Sequence, residues 1–318
     1  MEHTGSPLPT SASAVRTKRK ISKRLLRQNI PLYAMFIPIM AYFIIFKYYP
    51  MTGLIIAFKN YRFIDGIWGS SWNGLDNFRL IFGNDQISGI IWNTLKLSGL
   101  SIVVGFPMPI LLAILVNEVR RSSFKRAVQT MVFLPHFLNW VIVGGIVLTV
   151  FSQSTGAINH LLDAWFGTTF PFLYQPWSWL AIYLGATVWK EAGWGMIIYL
   201  AALTSIDQSL YEAASIDGAS KWQQIRRITL PGIMPTVIIM LVLKIGHLME
   251  VGFDQIYVLQ NQAVADISEV ISTFMYKIGI QQAQFSLATA IGLFESLVGL
   301  VLVVGANRLA RRFGQGLW

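Results

Sequence analysis

The sequence predicts an all-α integral membrane protein with six transmembrane helices, both termini in the cytoplasm, and an ordered helix–Gly–helix loop on the cytoplasmic side. Three observations carry that expectation. Only 13% of the 318 residues are charged while 54% are hydrophobic, whereas a soluble domain carries about 25% charged residues to cover its surface. The excess cannot hide in a larger core, because single cores stop growing near about 250–300 residues. Six stretches reach the roughly 20 apolar residues that a bilayer crossing needs, and the basic residues are distributed unevenly around them.

Taken in order, residues 1–28 form a basic tail whose start, MEHTGSPLPTSASA, is polar and small and reads as disordered. Seven bases follow (Arg16, Lys18, Arg19, Lys20, Lys23, Arg24 and Arg27), the pattern of a flank facing anionic lipid. The next apolar run, from Pro31 to Phe58, exceeds the about 7–15 residues of a signal-peptide core and so reads as a retained anchor. Spans are expected at 33–57, 90–116, 131–151, 179–203, 235–259 and 287–306. In hydrocarbon the backbone must satisfy its own polar groups, so these runs are helices. They lack the alternation of the ~10-residue strands in a transmembrane barrel.

With the N-terminus inside, the inner segments hold seventeen bases: the tail seven, then Arg120, Arg121, Lys125, Arg126, then Lys221, Arg226, Arg227, then Arg308, Arg311, Arg312. The outer loops hold four, Lys59, Arg62, Arg79 and Lys277. The positive-inside rule puts both ends in the cytoplasm. The membrane domain is thus expected over 29–307, with a short cytoplasmic tail at 308–318. A net charge of +10 placed this way points to membrane lipid as a partner and away from nucleic acid. The absence of cysteine excludes disulfides, Cys-ligated zinc and iron–sulfur clusters.

The loop at 204–234 reads TSIDQSLYEAASIDGASKWQQIRRITLPGIM. Ser209 and Glu212 have capping-box spacing, which predicts a helix beginning near Leu210. Gly218 supplies the stop. Ser220 and Gln223 form a second box opening a helix with Trp222, Ile225 and Ile228 on one side, and Pro231 and Pro235 punctuate the chain before the fifth span. Such an element either anchors in lipid headgroups or docks on a protein. Three bases in thirty residues between two spans argue against a DNA-binding helix-turn-helix.

Glu212-Ala213-Ala214, then Asp217-Gly218-Ala219, then Ile228-x-Leu230-Pro231 resemble the EAA loop of the membrane subunits of bacterial type I ABC importers. The resemblance implies that Glu212, Ala213, Ala214, Asp217, Gly218, Ile228, Leu230 and Pro231 couple this chain to an ATPase by seating the loop helix in a cleft of that subunit. Asp207 stands where many members have Pro. PLYAMFIPIMAYFIIFKYYPMTGLIIAFKNY, GLDNF at 74–78 and FLPHFLNWVIVGGI at 133–146 are similar to the branch that imports oligosaccharides and polysaccharide fragments, alginate-oligosaccharide importers in particular. This implies a permease in the bacterial cytoplasmic membrane that forms half of a translocation path. Its implied partners are a second, related permease subunit, two ATP-binding subunits carrying Mg-ATP, and an extracytoplasmic solute-binding protein. The chain has no G-x-x-x-x-G-K-[ST], so it holds no nucleotide of its own. It is expected to be a transport subunit without cofactor or metal rather than an enzyme.

Ionisable groups within spans are costly and mark candidate functional positions. Lys244, His247, Glu250 and Asp254, spaced 3, 3 and 4, share one face if the fifth span is a continuous helix. That face either lines the translocation path or forms a self-neutralising network linking Lys244 to Glu250 through His247. Lys190 and Glu295 are further path candidates; Lys190 and Glu191 point about 100° apart on a helix and are not expected simply to neutralise each other. His136 reads as a local hydrogen-bonding residue. Trp68, Trp72, Trp165, Trp177 and Trp179 fit an interfacial belt better than a sugar platform, and residues 60–86 are a candidate docking surface for a binding protein. The competing classes are a secondary transporter or channel, which would show inverted repeats or a filter loop, and a membrane enzyme. The sequence contains neither H-E-x-x-H nor G-x-S-x-G.

Overall fold

The computed structural model describes residues 29–312 and 314, so the basic tail at 1–28 lies outside the described residues. The chain divides into two compact units, one ending at Gly53 and one beginning at Leu54. In the first, α1 (Ile30–Phe43) continues through a wide turn at Ile44–Tyr48 into Tyr49–Met51. Its side chains are exposed around the whole circumference, Leu32, Met35, Phe36 and Ile39 alike. An all-round apolar helix of this kind requires an apolar environment.

The second unit contains α2 (Asp76–Gly83), α3 (Asp85–Glu118), α4 (Ser122–Phe137), α5 (Trp140–Phe151), α6 (Ala157–Phe166), α7 (Pro176–Thr204), α8 (Gln208–Ile216), α9 (Lys221–Gly246), α10 (Phe253–Leu259), α11 (Ile271–Met275) and α12 (Phe285–Arg312). A two-stranded antiparallel ribbon, β1 (Lys59–Asn60) with β2 (Ser71–Trp72), precedes them. Among the described residues, four stretches are long and apolar enough to cross a membrane: Ile30–Phe58, α3, α9 and α12. The pair α4–α5, bent by 104°, makes a fifth if it is one span. The remaining expected span falls on α7, 29 residues long, whose Lys190, Glu191 and tryptophans dilute its apolarity. Its buried residues run from Ser178 to Leu203, so protein rather than lipid surrounds much of it. Helix α12 continues to Arg312, past the expected boundary at 307.

Pro231 and Pro235, expected to punctuate the chain before the fifth span, do not end the helix, and neither do Pro50 and Pro107. Wide π turns at Ile44–Tyr48, Ser101–Gly105 and Ile225–Thr229 each finish two residues before a proline, Pro50, Pro107 and Pro231. A proline has no N–H, and its ring presses on the carbonyl four residues back. Those carbonyls belong to Phe46, Val103 and Arg227, inside the wide turns, where the looser winding lets them clear the ring. Helix α9 runs unbroken from Lys221 to Gly246, past Pro231 by way of its wide turn and through Pro235 within the regular helix.

Two expected spans are instead broken. The third, 131–151, turns at Leu138, whose backbone is extended, and restarts where the Asn139 side chain accepts the Ile142 N–H at 2.9 Å. The fifth, 235–259, is interrupted from His247 to Gly252 and resumes as α10. At membrane depth such backbone must be satisfied by protein, and the Ser272 hydroxyl donates to the Val251 carbonyl at 3.1 Å. The same rule accounts for buried polar side chains nearby. Trp179 Nε1 donates to Leu259 O at 2.8 Å, Thr94 Oγ1 accepts the Ile271 N–H at 3.0 Å, and Asn93 Nδ2 donates to Asp266 O at 2.6 Å. Trp179, only 1% exposed, is thus a core residue and not part of an interfacial belt.

Helix packing relies on small residues, as expected where lipid offers no hydrophobic drive. A Cβ at Gly193 would fall 2.0 Å from Val132 O, and one at Gly299 3.3 Å from Gly246 O. Helix α7 joins two apolar clusters. One holds Leu97, Val143, Trp179 and Ile256, and the other holds Ala113, Met196, Leu203 and Ile233, beside the 204–234 loop.

Candidate functional site

The 204–234 loop is a helical hairpin. Helix α8 starts two residues earlier than the spacing predicts, because Asp207 rather than Ser209 is its N-cap; the carboxylate accepts the Ser209 N–H at 2.9 Å. That bond and the Ser209 hydroxyl hold the Asp207 carboxyl below the ordinary aspartate value. The residue that departs from the family pattern therefore does the capping. Gly218 ends the helix with φ +74°, a left-handed conformation that side-chain-bearing residues disfavour. Ser220 and Gln223 form the expected capping box, and the helix they open is the start of α9.

The candidate coupling residues sort by exposure. Glu212, Ala213, Asp217, Gly218 and Pro231 are exposed, while Ala214, Ile228 and Leu230 are half-buried. Ile216 and Trp222, which the sequence reading does not single out as site residues, are 87% and 70% exposed. The hairpin thus presents an apolar, small-residue and acidic surface. A cleft lined by Glu118, Arg120, Tyr211, Glu212, Ser215 and Lys221 lies beside it, with Lys221 Nζ 3.0 Å from Glu118 Oε2.

The intramembrane candidates do not lie on one helical face. Lys244 is in the last turn of α9, His247 caps it, Glu250 is in the interrupted stretch and Asp254 is in α10. The 3-3-4 spacing mimics a helix, but Gly246 and Gly252 bracket a break in it. The break still gathers three of the candidates: His247, Glu250 and Glu295 line one cleft of ≈ 380 Å³. His247 Nδ1 lies 2.9 Å from Glu250 Oε2, and Lys244 takes no part in that pair. Lys244, His247 and Glu250 line a second cleft with Tyr183, Thr187 and Gln255.

A second polar cluster sits at the other break. Lys190, 6% exposed, donates to His136 O at 3.0 Å and to Glu191 Oε1 at 3.1 Å. Adjacent Lys190 and Glu191 do pair, because their long side chains close the angle that their Cα positions open. Glu191 Oε2 lies 3.1 Å from His136 Nδ1, whose ring stacks on Trp194 at 4.6 Å. Lys190 also lies over Trp140, 5.5 Å from the ring centroid. Sequence reasoning treats His136 as local and does not reach this cluster, since its parts are 54 and 55 residues apart. The Pro135–Asn139 stretch is the one signal of a break there. Lys59, counted as an outer-loop base, is buried and donates to the Ile67 and Trp68 carbonyls, bracing the 59–72 ribbon. Among the described residues no cluster of three or more His, Cys, Asp or Glu is arranged to hold a metal.

Residues 105–317 match the family described as the binding-protein-dependent transport system inner membrane component. The chain is 43% identical over 308 residues to the polygalacturonan/rhamnogalacturonan transport system permease protein YteP of Bacillus subtilis (strain 168), covering 96% of each chain. It is 41% identical over 290 residues to protein LplB of the same organism, covering 91% of each. Among solved structures it resembles a chain of a bacterial ABC transporter involved in import of the acidic polysaccharide alginate. That match has TM-score 0.85 and 45% identity, covering 91% of this chain and 98% of that one. The alginate transporter in complex with its alginate pentasaccharide-bound periplasmic protein matches equally well, with TM-score 0.85. The helical hairpin, the multi-pass apolar helices and these likenesses agree, and the chain belongs to the family of binding-protein-dependent transport system inner membrane components, as a permease subunit and not an enzyme.

Proposed function

We propose that this chain is one of two permease subunits in an ATP-driven importer of uronate-bearing oligosaccharides, alginate or pectin fragments being the examples its relatives offer. The bilayer is the bacterial cytoplasmic membrane. The six expected spans are the stretch 30–58, α3, the bent pair α4–α5, α7, α9 with α10, and α12, with both termini inside. Two ATP-binding subunits hold Mg-ATP, and the 204–234 hairpin docks on one of them through Glu212, Ala213, Ala214, Asp217 and Gly218, with Ile228, Leu230 and Pro231 at its base. An extracytoplasmic solute-binding protein delivers substrate to the opposite side, where residues 60–86 receive it. A separate, related chain completes the path.

The observation that carries the substrate class is the pair of helix breaks with charge at each, Lys190 on the His136 carbonyl at one and Lys244 beside His247 at the other. Interrupted helices supply backbone and side-chain polar groups at membrane depth only where they line a cavity or pack on protein. Lys244, exposed and outside the His247–Glu250 pair, compensates a carboxylated sugar, and Glu250, Glu295 and Asp254 offer acceptors for its hydroxyls. The relatives named for alginate and for polygalacturonan share that acidic chemistry. The test is uptake by proteoliposomes holding the whole complex, given binding protein loaded with a uronate oligosaccharide or with a neutral one. ATP-dependent uptake of the uronate alone supports the reading. Equal uptake of both, or uptake without ATP, overturns it; the latter would favour a secondary transporter.

A further inference from the structure

Docking at the hairpin leaves open how movement there reaches a span. Helix α8 has nine residues, too few to hold itself together in isolation, yet it and the Ile206 that leads into it are fixed to α9 by three contacts in antiparallel order. Ile206 packs over Gly232, where an added Cβ would meet its Cδ1 at 2.6 Å. Tyr211 Oη lies 3.0 Å from Thr229 Oγ1. Gln224 Nε2 donates to Ser215 Oγ at 3.0 Å and to Ala219 O at 3.4 Å. Residues 206, 211 and 215 thus face 232, 229 and 224 across a seam closed by Gly218.

On the α9 side the seam's polar members are out of water: Thr229 is 3% and Gln224 5% exposed. On the α8 side Tyr211 is half-buried, while Ser215, Glu212, Ala213 and Asp217 are exposed. A buried, satisfied polar network fixes register more than it adds bulk stability. Thr229 also closes the wide turn Ile225–Thr229 just below Pro231, where the winding departs from the α-helical pattern.

We infer that Tyr211, Thr229 and Gln224 are positioning residues that fasten the docking helix to α9, so that displacement of α8 bends the wide turn instead of being absorbed at Gly218. This rests on the docking reading of the hairpin. Thr229→Val keeps the shape and removes the hydroxyl, Tyr211→Phe removes its partner, and Thr229→Ser restores the bond. The exposed Lys221–Glu118 pair contributes little, so Lys221→Met is the control.

The experiment uses the full complex in lipid nanodiscs and reads three quantities: ATPase subunit retained, basal hydrolysis, and stimulation by loaded binding protein. Thr229→Val and Tyr211→Phe each lower the stimulation about fivefold, the factor one net hydrogen bond carries. The double variant is no worse than either, and Thr229→Ser and Lys221→Met match wild type, with ATPase content and basal rate unchanged throughout. Unchanged stimulation in both seam variants overturns the inference and leaves docking intact. Loss of the ATPase subunit from the seam variants also overturns it, since the seam would then serve assembly. Glu212→Lys tests the underlying reading separately: full ATPase retention and stimulation in that variant removes docking and the seam's role together.

Discussion

Gly193 offers a sharp test of how α4 and α7 are held. A Cβ there would fall 2.0 Å from the carbonyl oxygen of Val132 and 2.5 Å from its carbon, and both are backbone. Reaching ordinary contact near 3.4 Å needs the two helices to part by about 1.4 Å. Neither side has a flexible end to swing away. Overpacking of this kind costs about 1–3 kcal/mol. The same opening stretches the 3.1 Å His136–Glu191 and 3.0 Å Lys190–His136 contacts one turn away past bonding distance, adding about 1 kcal/mol for each. Gly193→Ala should therefore cost about 3–5 kcal/mol and lower the melting temperature of the purified protein by on the order of 10 °C. Gly185, on the same helix, has no atom within 4 Å of its virtual Cβ. Gly185→Ala should be neutral or slightly stabilising through helix propensity. Thermal melts followed by size-exclusion chromatography compare the two. If both variants melt alongside wild type, the close α4–α7 approach and the cluster built on it are wrong.

Three further outcomes follow. Gly218→Ala meets no steric obstacle but must adopt φ +74°, so it should weaken ATPase-subunit binding by about 1–2 kcal/mol while Gly218→Asn loses less; equal affinities for the two would contradict a conformational origin. Asn139→Ala removes the N-cap of α5 and should destabilise the α4–α5 bend by about 1 kcal/mol, read as a lower melting temperature that Asn139→Asp restores. Because the folded Asp207 carboxyl lies below its unfolded value, its cap is complete above about pH 4 and fails only as pH falls through the lower folded value. ATPase binding should thus be insensitive to Asp207 titration between pH 5 and pH 8, and Asp207→Asn, which also caps, should behave like wild type where Asp207→Ala does not. A titration in that interval that disappears in Asp207→Asn would refute the cap.

What the sequence discloses here is mostly local. Gly218 and the Ser220–Gln223 box are readable because a left-handed turn and a reciprocal cap depend on residues three or four apart. The Asp207 cap is displaced from the expected Ser209 by the same local logic, Asp being the stronger acceptor two residues upstream. The breaks resist such reading. Lys244, His247, Glu250 and Asp254 carry helical spacing through a stretch that is not helical, and only the flanking glycines hint at it. Prolines mislead in the opposite sense, since a wide turn just before Pro50, Pro107 and Pro231 lets the helix continue and Pro235 is carried within it. The His136–Lys190–Glu191 cluster and the core position of Trp179 depend on tertiary packing, which no spacing rule reports.

Docking of the hairpin requires that its exposed face meet a protein in the cytoplasm. The chain has no cysteine, so a single one at Ile216, 87% exposed, gives an unambiguous crosslinking site. In the assembled complex within native membranes, a short thiol crosslinker from Ile216→Cys should capture the ATP-binding subunit, and capture should change when ATP is bound. Reaction of that cysteine with a lipid-borne probe alone, with no protein captured, would contradict the account.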